Sequence, residues 1–251
     1  MTDANMGRKT HIQTRNLTDT ERTELRKQFA LETTYRIDET ILDSILKAGK
    51  VESLKCYEPV IETGEYDPDV YVVKEGLIRG TYLDGNIEKT AGFALPGSLL
   101  ISFQSFYAGQ PSYIQFEACC GSEVLNIPKE VFMQFIKKHH EFAIWVMSAH
   151  QNQLYYNEYK SALLNGDAKS RFLQLTQRLS GLLGGVSKRE TGDRKVNGSG
   201  PSHDERVKSA VDNRWNDIFK VVPSKIIASY LGITEQSLSR IKKELLHQGI
   251  S

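Results

Sequence analysis

Apolar residues in this chain follow two periods in succession, and the changes of period divide it into segments. Residues 1 to about 28 are polar and charged without any period, which predicts a loose N-terminal arm that carries no chemistry. From Asp38 onward Ile41, Leu42, Ile45 and Leu46 recur at helical spacing, and Gly49 supplies the stop. Between Lys50 and Pro128 the period falls to two. Val51 to Glu62, Val70 to Lys74, Leu77 to Leu83, Ile87 to Ala94, Tyr113 to Cys119 and Val124 to Ile127 read as short strands. Gly64, Gly76, the hairpin turn Asp84-Gly85 and Pro96-Gly97 punctuate them. Many short strands with such turn signals predict a sandwich or jelly roll rather than a parallel sheet.

Helical spacing returns after Pro128, first through Val131, Phe132, Phe135 and Ile136, then in a long stretch from about Glu141 to Leu164. Two opposite stripes run along that stretch. One is Ala143, Met147, His150, Leu154, Asn157, Ser161 and Leu164; the other is Trp145, Ala149, Asn152, Tyr156, Tyr159 and Leu163. Each keeps the alternating four-three step of a heptad seam. A helix with two such faces must be covered twice. The first stripe is therefore the expected dimer interface with a second copy, and the other lies on the chain's own roll; the alternative is burial inside one large monomer. A further amphipathic helix is expected from Ala168 to Leu183. A flexible Gly-, Ser- and charge-rich loop follows at about 184–205, and a helix from Val207 to Phe219.

The C-terminal stretch VPSKIIASYLGITEQSLSRIKKELLHQ fits two short helices joined by a tight turn. Pro223 suits a first helical turn, Ile226, Ile227, Ala228 and Leu231 form one apolar face, and Gly232 stops the helix. Thr234 can cap the next helix, whose Leu238, Ile241 and Leu245 recur at helical spacing. A helix-turn-helix needs a small residue at the crossing, a glycine in the turn and a buried aliphatic in the second helix, and Ala228, Gly232 and Leu238 stand at those offsets. Glu235, Gln236, Ser237, Ser239, Arg240 and Lys243 then occupy the outer face of the second helix, with Ser224, Lys225 and Thr234 beside them as further candidate DNA-contacting residues. Gln and Arg pair bidentately with adenine and guanine.

Charge and chemistry narrow the reading. The formal net charge of +1 says little about nucleic acid, but from Val222 to the end four basic side chains face two acidic ones, a local net of +2 that a dimer doubles. Three cysteines, no apolar run of membrane length and no signal-peptide pattern predict a reduced, cytoplasmic setting without membrane contact. No histidine stands between Ile12 and Lys138, so a metal enzyme of the cupin type is not expected in the roll. Cys119 and Cys120 are adjacent and point to opposite faces of a strand, which does not suit joint chelation. They read as small strand residues, with a redox sensor as the lesser alternative. No cofactor, metal or catalytic grouping is expected, and the chain does not read as an enzyme.

The order of parts resembles the cyclic AMP receptor protein and Fnr (Crp/Fnr) superfamily of bacterial transcription regulators, over roughly residues 35 to 251. GEYDPDVYVVKEGLIRG, LPGSLLISFQSFYAGQPS and IASYLGITEQSLSRIKKEL carry the resemblance, and the last looks especially like regulators of this family found in Bacteroidetes. The resemblance implies an α+β fold: a cyclic-nucleotide-binding-like jelly roll at 29–137, a dimerisation helix at 138–166 and a DNA-binding domain at 167–251. It implies a homodimer reading a palindromic site in double-stranded DNA through Glu235, Gln236 and Arg240, and RNA polymerase as a partner. Cyclic-nucleotide-binding members carry a Gly-Glu-Leu run and an Arg-Ser or Arg-Thr pair; the matching positions here hold Ile101, Ser102 and Phe103, then Ser112 and Tyr113. A phosphate buried without that arginine is poorly compensated, so tight cyclic AMP binding is not expected. Ser102, Phe103, Ser112, Tyr113 and Asn157 remain the candidate pocket for an unknown small-molecule effector, or else a filled core. The end at Ser251 leaves no room for the two-stranded wing of many relatives. A ligand-sensing adaptor without DNA binding is the alternative function.

Overall fold

The computed structural model describes residues 14–176 and 222–247. The loop expected at 184–205, the helix expected at 207–219 and the end of the helix expected at 168–183 lie outside the described residues. The chain divides into two compact units, which meet within one long helix between Asn157 and Glu158.

Among its described residues the first unit holds nine strands: β1 (Thr14–Arg15), β2 (Lys50–Leu54), β3 (Pro59–Ile61), β4 (Val70–Glu75), β5 (Ile78–Asp84), β6 (Ile87–Ala94), β7 (Leu99–Ile101), β8 (Gln115–Ala118) and β9 (Ser122–Ile127). They form a five-stranded sheet, β1-β2-β9-β4-β7, and a four-stranded sheet, β3-β8-β5-β6, with every pairing antiparallel. Alternation along the strands separates two cores. Tyr71, Val73, Leu100 and Val124 meet Ile78 and Ala118 between the sheets. Val70, Val72, Leu125 and Ile127, one residue out of phase with their neighbours, face the helices.

Those helices are α1 (Asp19–Phe29), α2 (Glu39–Ala48), α3 (Lys129–Lys138) and the start of α4 (His140–Leu164). The expectation of a loose arm at 1–28 is corrected over residues 14–28 by β1 and α1; residues 1–13 lie outside the described residues. Thr18 and Glu21 form a reciprocal capping box, Thr18 Oγ1 accepting from the Glu21 N–H and the Glu21 carboxylate from the Thr18 N–H. Leu25 and Phe29 then reach the core, where Phe29 meets Trp145 of α4 at 4.6 Å between ring centroids. Period alone could not show this helix, because few apolar residues stand among its charges and tertiary packing supplies its stability.

The segment read as one strand from Val51 to Glu62 is two, one in each sheet. Lys55–Glu58 makes the turn between them, with Glu58 N–H donating to the Lys55 carbonyl at 3.1 Å and Tyr57 at φ 63°. β7 and a short π-helical turn at Gln104–Ala108 were not anticipated either. The helix starts at Asp38 and Pro128 stand as read, as does the β5–β6 hairpin across Asp84-Gly85.

The second unit contains the end of α4, a helix at 168–176 (α5), α6 (Ser224–Leu231) and α7 (Glu235–His247). Pro223 is the N-cap of α6, one position before the first helical residue. Gly232 ends that helix at φ 63°, and the Ile233 N–H returns to the Ala228 carbonyl at 3.0 Å.

Candidate functional site

The α6–α7 pair is built on an apolar interior of Ile226, Ile227, Ala228, Tyr230, Leu231, Leu238, Ile241 and Leu245, all buried. Thr234 caps α7, accepting from the Ser237 N–H at 3.1 Å while its own hydroxyl reaches Ser237 Oγ at 3.0 Å. Because Leu238, Ile241 and Leu245 take the inner face, the 3.6-residue period turns Glu235, Gln236, Ser239, Arg240 and Lys243 outward, and all five are exposed. Lys225 and Thr234 are exposed beside them, whereas Ser224 and Ser237 are half-buried.

Contacts that sequence spacing did not reveal hold this pair to its unit. Arg171 of α5 donates to the Leu231 carbonyl at 2.9 Å, placing a cation at the negative end of α6. Lys169 pairs with Glu244 of α7 at 2.7 Å. Lys160 of α4 lies 4.6 Å from the Tyr230 ring centroid, and burial lowers its pKa to about 8. These partners are far apart in the chain, and no local pattern announces them.

The stripes on α4 are distinct in the structure. Trp145, Ala149 and Leu163 of one are buried, and Asn152 donates to the Glu32 carbonyl at 2.7 Å. On the other, Met147 is 65% and Leu154 64% exposed. Ala143, His150 and Leu164 are half-buried there, and Asn157 and Ser161 are exposed. Ala143, Met147 and His150 border an open groove of about 250 Å³, closed on its other sides by Tyr107, Met133 and Ile136. His150 meets Phe103 edge-on at 5.1 Å and Tyr107 at 5.8 Å. Its Nε2 is buried without a hydrogen-bond partner among the described residues, and desolvation lowers its pKa.

The residues expected around an effector point in several directions. Ser102 and Ser112 are buried and committed locally. Ser102 Oγ accepts from the Ser105 N–H at 3.3 Å, Ser105 Oγ donates to the Gln110 carbonyl at 2.9 Å, and Ser112 Oγ donates to the Ile114 carbonyl at 2.6 Å. Phe103 turns toward His150, while Tyr113 stacks on Tyr82 at 6.0 Å. Asn157 is exposed at the boundary of the first unit.

Among the described residues, two cations of the roll, Arg79 and Lys129, are already engaged. Arg79 is buried on β5 next to Ile78, and alternation turns it away from the core that Ile78 and Ala118 share. It is held by Glu117 at 2.5 Å and Glu88 at 3.0 Å. Lys129 donates to the Phe106 carbonyl and lies 5.2 Å from that ring's centroid. The loop is flanked instead by Asp67, whose N–H donates to Ser105 Oγ and whose carboxylate accepts from Tyr71 Oη at 2.8 Å. Among the described residues, no group of three or more His, Cys, Asp or Glu is placed to hold a metal ion, and no helix is long and apolar enough to cross a membrane.

Residues 51–139 match the cyclic nucleotide-binding domain family. Solved structures share the fold over most of the chain. FixK2 from Bradyrhizobium japonicum is 19% identical, with 80% of this chain and 86% of that one aligned at a TM-score of 0.55. A putative cyclic nucleotide binding protein from Ruegeria pomeroyi is 17% identical, over 92% and 89% of the two chains, at 0.55. The c-di-GMP-responsive global regulator CLP from Xanthomonas campestris is 16% identical, over 84% and 93%, at 0.53. No curated protein sequence matches the chain. The chain thus carries a domain of the cyclic nucleotide-binding family. Over most of its length it shares the fold of these solved structures.

Proposed function

We propose that the protein is a homodimeric, DNA-binding transcription regulator of the Crp/Fnr type, in which α6 and α7 form the helix-turn-helix. The supporting observation is the division of α7 between a buried aliphatic face and an exposed one carrying Gln236, Ser239, Arg240 and Lys243. In this reading α7 enters the major groove. Gln236 and Arg240 read base edges, Glu235 accepts from cytosine or favours the helix N-terminus, and Lys243 contacts phosphate. Ser224, Lys225, Thr234, Ser237 and Ser239 contribute backbone contacts that fix register. The exposed stripe through Met147 and Leu154 pairs with the same stripe of a second copy, so that two recognition helices meet a palindromic site one helical turn apart. RNA polymerase is the further partner this reading carries.

The effector is a small molecule other than cyclic AMP. The phosphate of cyclic AMP would find Arg79 engaged by Glu117 and Glu88, Lys129 donating to the Phe106 carbonyl, and Asp67 close to the serine loop. A signal at Ser102–Ser112 reaches α4 through Phe103 and Tyr107 against His150, and biases DNA affinity only as far as the effector prefers one arrangement of the paired helices. Selection of genomic fragments by the purified protein tests the function. Enrichment of palindromic sites, lost as salt rises, is the expected result. A small-molecule thermal shift without any selected DNA overturns this reading in favour of a ligand-sensing adaptor.

A further inference from the structure

The three cysteines of the chain, Cys56, Cys119 and Cys120, lie on two segments that pair at one edge of the roll. Cys56 lies in the turn that carries the chain from β2 to β3, and Cys119 and Cys120 follow β8 directly. Backbone pairing brings the two segments together. The Tyr57 N–H donates to the Ala118 carbonyl at 2.8 Å and the Ala118 N–H to the Glu58 carbonyl at 3.0 Å, so two residues of the turn oppose one residue of the strand. That is a bulge with its first residue, Tyr57, in the left-handed conformation that glycine usually supplies. Beyond the bulge, Cys56 faces the Cys119–Cys120 peptide, and its thiol donates to the Cys119 carbonyl at 3.0 Å.

The three thiols differ in their access to solvent. Cys56 is exposed, Cys120 is half-buried with Sγ 3.9 Å from Ser122 Oγ, and Cys119 is buried. Burial pushes the Cys119 thiol up to about 12, which keeps it protonated and unreactive at neutral pH. Reaction is thereby confined to the two thiols that solvent reaches.

We propose that Cys56 and Cys120 form a reversible dithiol–disulfide site that exchanges with small disulfides such as oxidised glutathione. The Cys56 thiolate attacks one sulfur of the small disulfide and releases one glutathione thiolate, which takes up a proton. The Cys120 thiolate then attacks the Cys56 sulfur of the mixed disulfide and releases the second glutathione. Two protein thiols are oxidised to one disulfide, and one oxidised glutathione is reduced to two thiols. The bond ties the β2–β3 turn, where the chain crosses from the five-stranded to the four-stranded sheet, to the turn after β8. It closes a loop of the chain and so stabilises the roll. This site is independent of the DNA-binding reading.

The test equilibrates the full chain with graded ratios of oxidised to reduced glutathione, alkylates remaining thiols and maps peptides without reduction. The expected product is a peptide pair joined through Cys56 and Cys120 within one chain, reversed by dithiothreitol, with a higher thermal midpoint than the reduced protein. Cys56→Ser and Cys120→Ser abolish the linked pair and the thermal shift, and Cys119→Ala retains both. Arrest at glutathionylated Cys56, a bond through Cys119 or a bond between two chains overturns the proposal. Should a variant fail to fold, the wild-type peptide map decides alone.

Discussion

Asn152, in the middle of α4, donates its side-chain amide to the backbone carbonyl of Glu32 at 2.7 Å. A helix read from sequence as a dimer element is thereby tied to a segment just after α1, far from it in the chain. The Glu32 side chain turns to β7, where its carboxylate accepts from the Leu99 N–H at 3.4 Å. One residue thus joins the N-terminal segment, the five-stranded sheet and the long helix. Its ionisation state bears on the contact with β7.

Burial raises the Glu32 pKa from 4.5 to about 7, against a smaller lowering by the Leu99 N–H. The folded state therefore binds this proton more tightly than the unfolded one. Stability from this group is present below pH 4.5 and is lost as pH rises through about 7. The difference amounts to ~3 kcal/mol at full ionisation. Glu32→Gln is expected to be more stable than the wild type at pH 8.5, by up to that amount, and to match it near pH 4. Urea unfolding at the two pH values checks this, and an equal change at both would show that the carboxyl is not desolvated.

Phe29 is fully buried and packs on Trp145, so α1 is part of the first core. Phe29→Ala should cost ~3–5 kcal/mol through lost burial and a residual cavity. A loss below about 1 kcal/mol, the scale of a surface change, would return residues 14–29 to the status of an appendage. Denaturant midpoints of the variant and wild type separate the two.

Two substitutions probe the turn that aims α7. Thr234→Ala removes the acceptor of the Ser237 N–H and should cost ~1 kcal/mol. Gly232→Ala forces a Cβ onto a residue at φ 63° and should cost on the order of 1–2 kcal/mol. Hydrogen exchange resolved by segment should show faster exchange in α6 and α7 while the sheets stay unchanged.

Legibility from sequence followed the source of each element's stability. Where local chemistry and period agree, as in α2 between Asp38 and Gly49 or α6 and α7 around Gly232 and Thr234, the reading located the element to within a residue or two. Tertiary contacts decided the rest. α1 shows few apolar side chains, and its Arg22 is bound by Asp43 of α2 at 2.9 Å, a pairing that no local period reveals. The Lys55–Glu58 turn contains neither glycine nor proline, and a tyrosine takes the left-handed position. The candidate effector loop has no period because its order comes from serine hydroxyls, as in the bond from Ser105 to the Gln110 carbonyl. Outward placement of Gln236 and Arg240 was legible because Leu238 and Ile241 mark the opposite face.

Leu154 tests the pairing of α4. It is 64% exposed on one chain, so Leu154→Arg should leave the fold of the single chain intact, with an unchanged circular dichroism spectrum. In a heptad seam the same change places two cations in an apolar interface, and sedimentation should show dissociation at concentrations where the wild type is dimeric.

Arg240 and Lys243 separate base reading from charge attraction, since both are exposed on α7 and three residues apart. Arg240→Ala should cost ~1–3 kcal/mol on the selected site and relax preference at one position per half-site. Lys243→Ala should weaken every sequence alike and reduce the slope of log affinity against log salt by about 1 for each copy. Binding isotherms on the selected site and a scrambled one, each at several salt concentrations, distinguish the two. Equal losses on both sequences for Arg240→Ala would move that side chain from the bases to the phosphates, leaving Glu235 and Gln236 as candidate readers on the exposed face.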